Sequence, residues 1–368
     1  MDDVCESEDV HERLRAWIAS QLPHARDVRI EGLERVTFGH SAETLLLTLR
    51  WSAPDDHDER RDVVLRLRPP PPGLLEPYDL HRQFTILRAL EPTPVPAPAV
   101  LWYEGTGEVL GREFYVMERV GGTVYERGVP PELEDAPQRI ARMSKSLVDT
   151  VAAIHRVDLD AVGLSSESGR GYVARELAHW TGEMQRVRRD RLPALERLAE
   201  VLAARAPEPC LVITLVHGDP KPGNFAFEHD EVSAVFDWEL ATVGDPLTDI
   251  GWLECNWTTS GAFTMLPGAL TVDEVVARYE ERTGIPVRNR PWYRALETFK
   301  IAVIMLVGAM LFDEGVSDDL RLANMGLAVH HFTLQALADL GIDEELASGP
   351  VTARPERVRA VRARLAAE

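Results

Sequence analysis

The spacing of hydrophobic positions changes period several times along the chain. Leu14, Trp17, Ile18 and Leu22 recur at helical intervals in an otherwise acidic opening, so residues 1–27 read as an acidic helical extension that packs by one face. Residues 44–49 and 62–68 are β-prone runs joined by the polar, proline-containing stretch 52–61, the pattern of a hairpin with a loose connection. Leu80, Phe84 and Leu87 are then spaced four and three apart, which predicts a helix over 79–90 with one apolar stripe. Four prolines within 91–98 hold the next segment extended. Two more strands are predicted near 100–103 and 112–118. Gly121-Gly122 follows, and long amphipathic stretches near 139–156, 172–188 and 195–206 mark a change to helix. Strand-like segments at 211–216 and 232–236 are set into that region with loops rich in Asp, Gly and Asn, and residues 272–340 return to helix.

This pattern predicts an α+β protein of two lobes: a small β-rich N-lobe over 28–120 and a larger, mainly helical C-lobe over 121–345, with a basic tail over 346–368. The apolar run Ile301–Phe312 is twelve residues long and closed by Asp313-Glu314. A bilayer needs roughly 20 such residues, so the run reads as a core helix and no membrane partner is expected.

Composition narrows the function. Forty basic against sixty acidic residues leave a formal charge of -20, which repels a phosphate backbone, and nucleic acid is not an expected partner. The arginines of 354–364 have no aromatic residues between them and read as a solvated helical tail. The opening residues are acidic where an export signal would be basic and then apolar. Cys5, Cys210 and Cys255 form no CxxC spacing, which fits a reducing cytoplasm.

The candidate chemistry lies in His217-Gly218-Asp219-Pro220-Lys221-Pro222-Gly223-Asn224, followed by Asp237-Trp238-Glu239 and Gly244-Asp245-Pro246. Asp219 and Asn224 lie on a turn after an apolar strand, and Asp237 ends the next strand. Oxygen ligands brought to one edge suit Mg²⁺, while a separate Asp can orient or deprotonate an incoming hydroxyl. Asp and Asn also cap turns through their own side chains, and one residue at a time that account serves equally. The Walker, dinucleotide-binding, HExxH and GxSxG signatures are absent from the sequence.

The segments VHGDPKPGN, VFDWE and GDPLTDIGW resemble the aminoglycoside phosphotransferase and choline kinase-like family, small-molecule kinases with a bilobal, protein-kinase-like fold. The resemblance covers roughly residues 30–320. It implies that Asp219 is the catalytic Asp, that Asn224 and Asp237 hold Mg²⁺, and that His217, Asp245 and Asp249 support the loop. FGHSAETLLL resembles the family's loop over the nucleotide phosphates, with Gly39 and Ser41 as candidate contacts and Thr44 retained. VVLRLRP puts Arg66 where a phosphate-pairing Lys is usual, on the strand face opposite Val63, Leu65 and Leu67. LHRQFTILRAL puts Gln83 where a Glu commonly holds that cation, so Gln83 is expected to accept a hydrogen bond from Arg66. FYVMERVGG resembles the hinge, with the backbone at Glu118 and Val120 meeting adenine. His155 is implied to pack or brace.

The implied activity is ATP- and Mg²⁺-dependent transfer of the γ-phosphoryl group to a hydroxyl of a small molecule: an aminoglycoside, an amino alcohol, a sugar or a hydroxyacyl-CoA. FGHSAET, VVLRLRP and VMERVGG look nearer to the branch associated with acyl-CoA dehydrogenases. The departures at Arg66 and Gln83 leave a second reading, a nucleotide-binding or substrate-binding module with little or no kinase activity.

Overall fold

The computed structural model describes residues 8–36, 43–55, 57–126, 128–208, 210, 212–259, 261–347 and 349–366. Gly39 and Ser41 lie outside the described residues. The chain divides into two compact units, one of residues 1–122 with 233–239, the other of residues 123–232 with 240–368.

The first unit is β-rich. After α1 (Glu8–Gln21) come β1 (Arg26–Val36), β2 (Glu43–Ser52), β3 (Asp58–Leu67), α2 (Leu80–Leu90), β4 (Val100–Glu104) and β5 (Phe114–Glu118). The five strands form one antiparallel sheet in the order β1-β2-β3-β5-β4. Leu14 and Ile18 of α1 join Leu45, Leu47, Leu49, Val63, Leu65 and Leu67 in a core cluster, which leaves the alternate position Arg66 on the other face of β3. The helix α2 begins where Asp79 accepts the Arg82 N–H at 2.8 Å and buries Leu80, Ile86, Leu87 and Leu90.

The hairpin between β2 and β3 is tighter than its sequence indicates, for pairing continues to Ser52 opposite Asp58. Its polar outer residues make cross-strand bonds, such as Thr48 Oγ1 to Asp62 Oδ1 at 2.6 Å, instead of forming a loop. Strand β1 has no sequence signal because register shifts break its alternation after Arg26 and after Glu31.

The second unit is mainly helical. It opens with β6 (Thr123–Val124) and α3 (Pro131–Glu134), then α4 (Pro137–His155), α5 (Tyr172–Val187) and α6 (Pro193–Ala204). Next come β7 (Thr214–Val216), β8 (Phe225–Glu228), β9 (Glu231–Val235), whose last three residues count with the first unit, and β10 (Thr242–Gly244). The chain ends with α7 (Pro246–Trp257), α8 (Val272–Thr283), α9 (Arg290–Asp313), α10 (Leu320–Asp339) and α11 (Pro355–Leu365). Strand β10 pairs antiparallel with β7, so Thr242 lies opposite Val216 beside the start of the polar loop and Gly244 lies opposite Thr214 at the other end.

The apolar run at 301–312 belongs to a helix of 24 residues, long and apolar enough by length and composition to cross a membrane. Here α9 is buried within the unit, with Phe299, Ala302, Val303 and Phe312 fully enclosed. Its first half carries Glu297 and Lys300, which shorten the apolar run seen in the sequence. At the C-terminus, Val361 of α11 packs on Phe312 and Leu322, and Arg357 and Arg364 pair with Asp318, so part of the basic tail is docked.

Candidate active site

In the second unit the loop after β7 is fixed from beneath by one carboxylate. Asp249, in the first turn of α7, is fully buried and accepts the His217 N–H at 2.7 Å and the Gly218 N–H at 2.8 Å. The His155 Nε2 atom lies 2.9 Å from the same carboxylate, and its Nδ1 is 2.7 Å from the Tyr279 hydroxyl. Burial opposes ionisation of Asp249, but the bond and charge of His155, with His217 and its N–H, outweigh it and hold the carboxyl below its ordinary range. His155 therefore braces the loop through polar contacts.

Asp245 caps α7 by accepting the Leu247 N–H at 2.9 Å and also accepts the Tyr293 hydroxyl at 2.7 Å. Burial pushes its carboxyl above the usual value despite those bonds. His217 is fully buried, and its Nδ1 accepts the Asp219 N–H at 3.2 Å. Gly218 adopts φ +84°, and a Cβ there would come within 2.5 Å of the Leu240 carbonyl oxygen, so the position admits only glycine.

These contacts present Asp219 in a defined orientation. Lys221 Nζ lies 3.0 Å from its Oδ2, while its Oδ1 is buried with no hydrogen-bond partner. Asn224 donates Nδ2–H to the Asp219 carbonyl at 2.8 Å, which turns its own carbonyl oxygen to the opposite end of the amide. Lys221 adjoins the predicted Asp, and only the lysine two residues on in the motif marks it in sequence.

In the first unit, Asp237 follows β9 at φ +63°, a left-handed conformation that costs a non-glycine residue about 1 kcal/mol. The turn is held by Trp238, whose indole N–H donates to the Val235 carbonyl at 2.9 Å. Arg66 Nη2 stands 3.7 Å from Asp237 Oδ1 and 3.7 Å from Glu239 Oε2, and Nη1 donates to Thr44 Oγ1 at 2.8 Å. Burial disfavours the Arg66 charge, but Tyr115, Asp237 and Glu239 more than offset it and raise its pKa.

The expected bond from Arg66 to Gln83 is corrected. Gln83 is buried on α2 and its Oε1 accepts the Tyr115 hydroxyl at 3.2 Å. Tyr115 pairs with Arg66 across β3 and β5, and it stands between the two. Burial, with Asp237 and Glu239, pushes the Tyr115 hydroxyl up to about 12 although Arg66 works the other way. Tyr115 and Glu239 were not singled out by the sequence; the alternation of β5 and the acidic end of DWE are the only signals for them.

Glu118 ends β5, its N–H donating to the Ala99 carbonyl at 2.8 Å, and its side chain lies 3.7 Å from Arg61. Val120 lies beyond the strand and is half-buried. Their backbone thus lies at the end of a strand.

A family model described as the phosphotransferase enzyme family matches residues 33–296. The chain belongs to this family. Mouse acyl-CoA dehydrogenase family member 10 is 33% identical to this chain over 259 residues, 67% of this chain and 24% of the mouse protein. The chain thus spans about a quarter of that relative's length. A Ralstonia eutropha protein described as a candidate aminoglycoside phosphotransferase superposes with a TM-score of 0.72 at 24% identity, covering 90% of this chain and 98% of its own. The phosphotransferase APH(4)-Ia, in a complex with AMP-PNP and hygromycin B, gives a TM-score of 0.57 at 16% identity, covering 90% and 99%. The fold is the α+β fold of these proteins.

In the first unit Asp237 keeps a buried carboxylate oxygen with no hydrogen-bond partner, a hard donor. Among the described residues no three His, Cys, Asp or Glu side chains gather as a cage. Magnesium is commonly held by one or two carboxylates together with substrate phosphates, and the Asp237 carboxylate is of that kind.

Proposed function

We propose that the chain transfers the γ-phosphoryl group of ATP, with Mg²⁺, to a hydroxyl of a small molecule. The observation that carries this reading is Asp219: a carboxylate on a loop held by Asp249, with one oxygen paired to Lys221 and the other without a partner. Asp219 is the group to orient the acceptor hydroxyl and take up its proton. Asp237 and the Asn224 carbonyl would hold the metal, which supplies charge neutralisation at the phosphates. Arg66 adds a fixed cation for the nucleotide phosphates, and the backbone at Glu118 and Val120 receives adenine. The AMP-PNP in the APH(4)-Ia complex supports a nucleoside triphosphate donor.

The name of the mouse relative supports an acceptor of the hydroxyacyl-CoA kind, and that of the Ralstonia eutropha protein an aminoglycoside. A formal charge of -20 favours the cationic class, whereas a CoA ester needs a local basic patch. Incubation with MgATP and a panel of aminoglycosides, amino alcohols, sugars and hydroxyacyl-CoA esters tests the reading through ADP formation and phosphorylated product. Nucleotide binding with no transfer to any member would favour the binding module.

A further inference from the structure

The charged group that the site description leaves unused is Lys300. It lies in the middle of α9, is 3% exposed, and is enclosed by two indoles, with Nζ 4.8 Å from the Trp252 ring centroid and 5.9 Å from that of Trp180. Two carboxylates face it, Glu297 at 3.6 Å and Glu176 at 3.9 Å, and Glu176 also accepts the Trp180 indole N–H at 3.1 Å. The Lys300 ammonium donates to the Gly218 carbonyl oxygen at 3.1 Å.

That carbonyl belongs to the peptide unit joining Gly218 to Asp219. The N–H of the same unit is Asp219's, and it donates to His217 Nδ1 at 3.2 Å. One peptide plane is therefore gripped at both ends, by an imidazole on the N–H side and an ammonium on the C=O side. The preceding N–H groups are already held by Asp249. Rotation of the 218–219 plane is the motion left that would swing the Asp219 side chain, and Lys300 opposes it. A planar peptide transmits this restraint directly to the Asp219 Cα.

Stability does not account for such a residue. A buried ammonium loses several kcal/mol of hydration, and an apolar chain of similar length between two tryptophans would avoid that loss. The charge is nonetheless favoured where it lies: burial acts against it, but Glu297, Glu176, Asp249 and Asp219 together raise its pKa.

We propose that Lys300 is a positioning residue for phosphoryl transfer, fixing the Gly218–Asp219 peptide so that the Asp219 carboxylate meets the acceptor hydroxyl in a single orientation. This rests on Asp219 as the acceptor-handling group. Lys300 itself touches no reacting atom.

The test uses the full chain and water as acceptor, reading phosphate release from MgATP together with amide hydrogen exchange over residues 214–224. Lys300→Met is expected to lower kcat roughly 10- to 100-fold, the scale of a misplaced catalytic group, with KM for ATP changed less than about twofold. Exchange at 214–224 should accelerate while that of the β2–β3 hairpin does not. Lys300→Arg, which keeps charge and donors, should fall between the two proteins in both readouts and serves if the Met variant does not fold. Wild-type kcat and wild-type exchange in either folded variant overturn the proposal. Should the parent chain release no phosphate, the phosphotransferase reading loses its support, and the exchange measurement still decides whether Lys300 holds the loop.

Discussion

Arg66 on β3 and Asp237 after β9 form an ion pair at 3.7 Å, so the cation proposed for the nucleotide phosphates and the carboxylate proposed for the metal are neighbours within one unit. Glu239 makes the same approach to Arg66, and Thr44 fixes the other arm of the guanidinium. The two carboxylates do for Arg66 what a Glu at position 83 would otherwise do. The neutral Gln83 is then no defect, since its role is to hold the Tyr115 hydroxyl.

The first prediction follows from that division. Arg66→Ala removes the cation between Asp237 and Glu239 and should weaken MgAMP-PNP binding at least about 10-fold, as truncating one partner of a buried charge pair does. Gln83→Ala removes one ordinary hydrogen bond and should cost about 0.5–1.5 kcal/mol of stability with little change in nucleotide affinity. Calorimetric titration and urea unfolding of both variants check this, and equal losses of affinity would contradict it.

A second prediction concerns Asp219. Asp219→Asn keeps the size of the side chain and its place on the loop but removes the base, so turnover should fall roughly 10²-fold or more while nucleotide affinity stays within a few-fold. Near-normal turnover in a folded variant would rule out the assigned role.

The third prediction orders the two metal candidates. Asp237→Ala removes formal charge and Asn224→Ala removes a neutral oxygen, so the former should raise the magnesium concentration needed for nucleotide binding by the larger factor. Unchanged magnesium dependence in the Asp237 variant would count against it.

Much of this was legible in sequence because it depends on local order. The HGD, DWE and GDP segments sit at strand ends, and period changes near 79 and 139 foretell α2 and α4. What was not legible depends on contacts between distant residues. Gln83 looked like a partner for Arg66 by family position, but cross-strand pairing places Tyr115 opposite Arg66 and gives the amide to it. Lys300 was hidden at the edge of an apolar run, because nothing local indicates that its ammonium meets the Gly218 carbonyl. The β1 strand was missed because its register shifts erase the two-residue period.

The fourth prediction tests the bracing of the loop. Asp249→Asn replaces an acceptor of two main-chain N–H groups by an amide that must turn one N–H toward a donor, and it takes the charge from beside His155. A loss of about 3 kcal/mol is expected, the scale of breaking a buried, hydrogen-bonded charge. Because Asp249 titrates below its ordinary range, its contribution is present above the unfolded pKa and is lost as pH falls through the folded one. The deficit of the variant, measured by urea unfolding, should therefore shrink toward acid pH, and a deficit independent of pH would show that the charge does not matter.

Glu297 gives the opposite sign. Burial, with Glu176 and Asp249 nearby, raises its carboxyl to about 8 even though Lys300 pulls the other way. An unfolded Glu releases its proton near the ordinary 4.5, so between these values the folded chain holds a proton that the unfolded chain has lost. Stability from this group is complete below the unfolded pKa and declines as pH rises through the folded one. Glu297→Gln keeps the shape and removes the titration. Comparing urea midpoints at about pH 5 and about pH 8, the parent chain should lose more stability over the interval than the variant does. An identical decline in both proteins would show that Glu297 is ionised throughout and that its proximity to Lys300 dominates its burial.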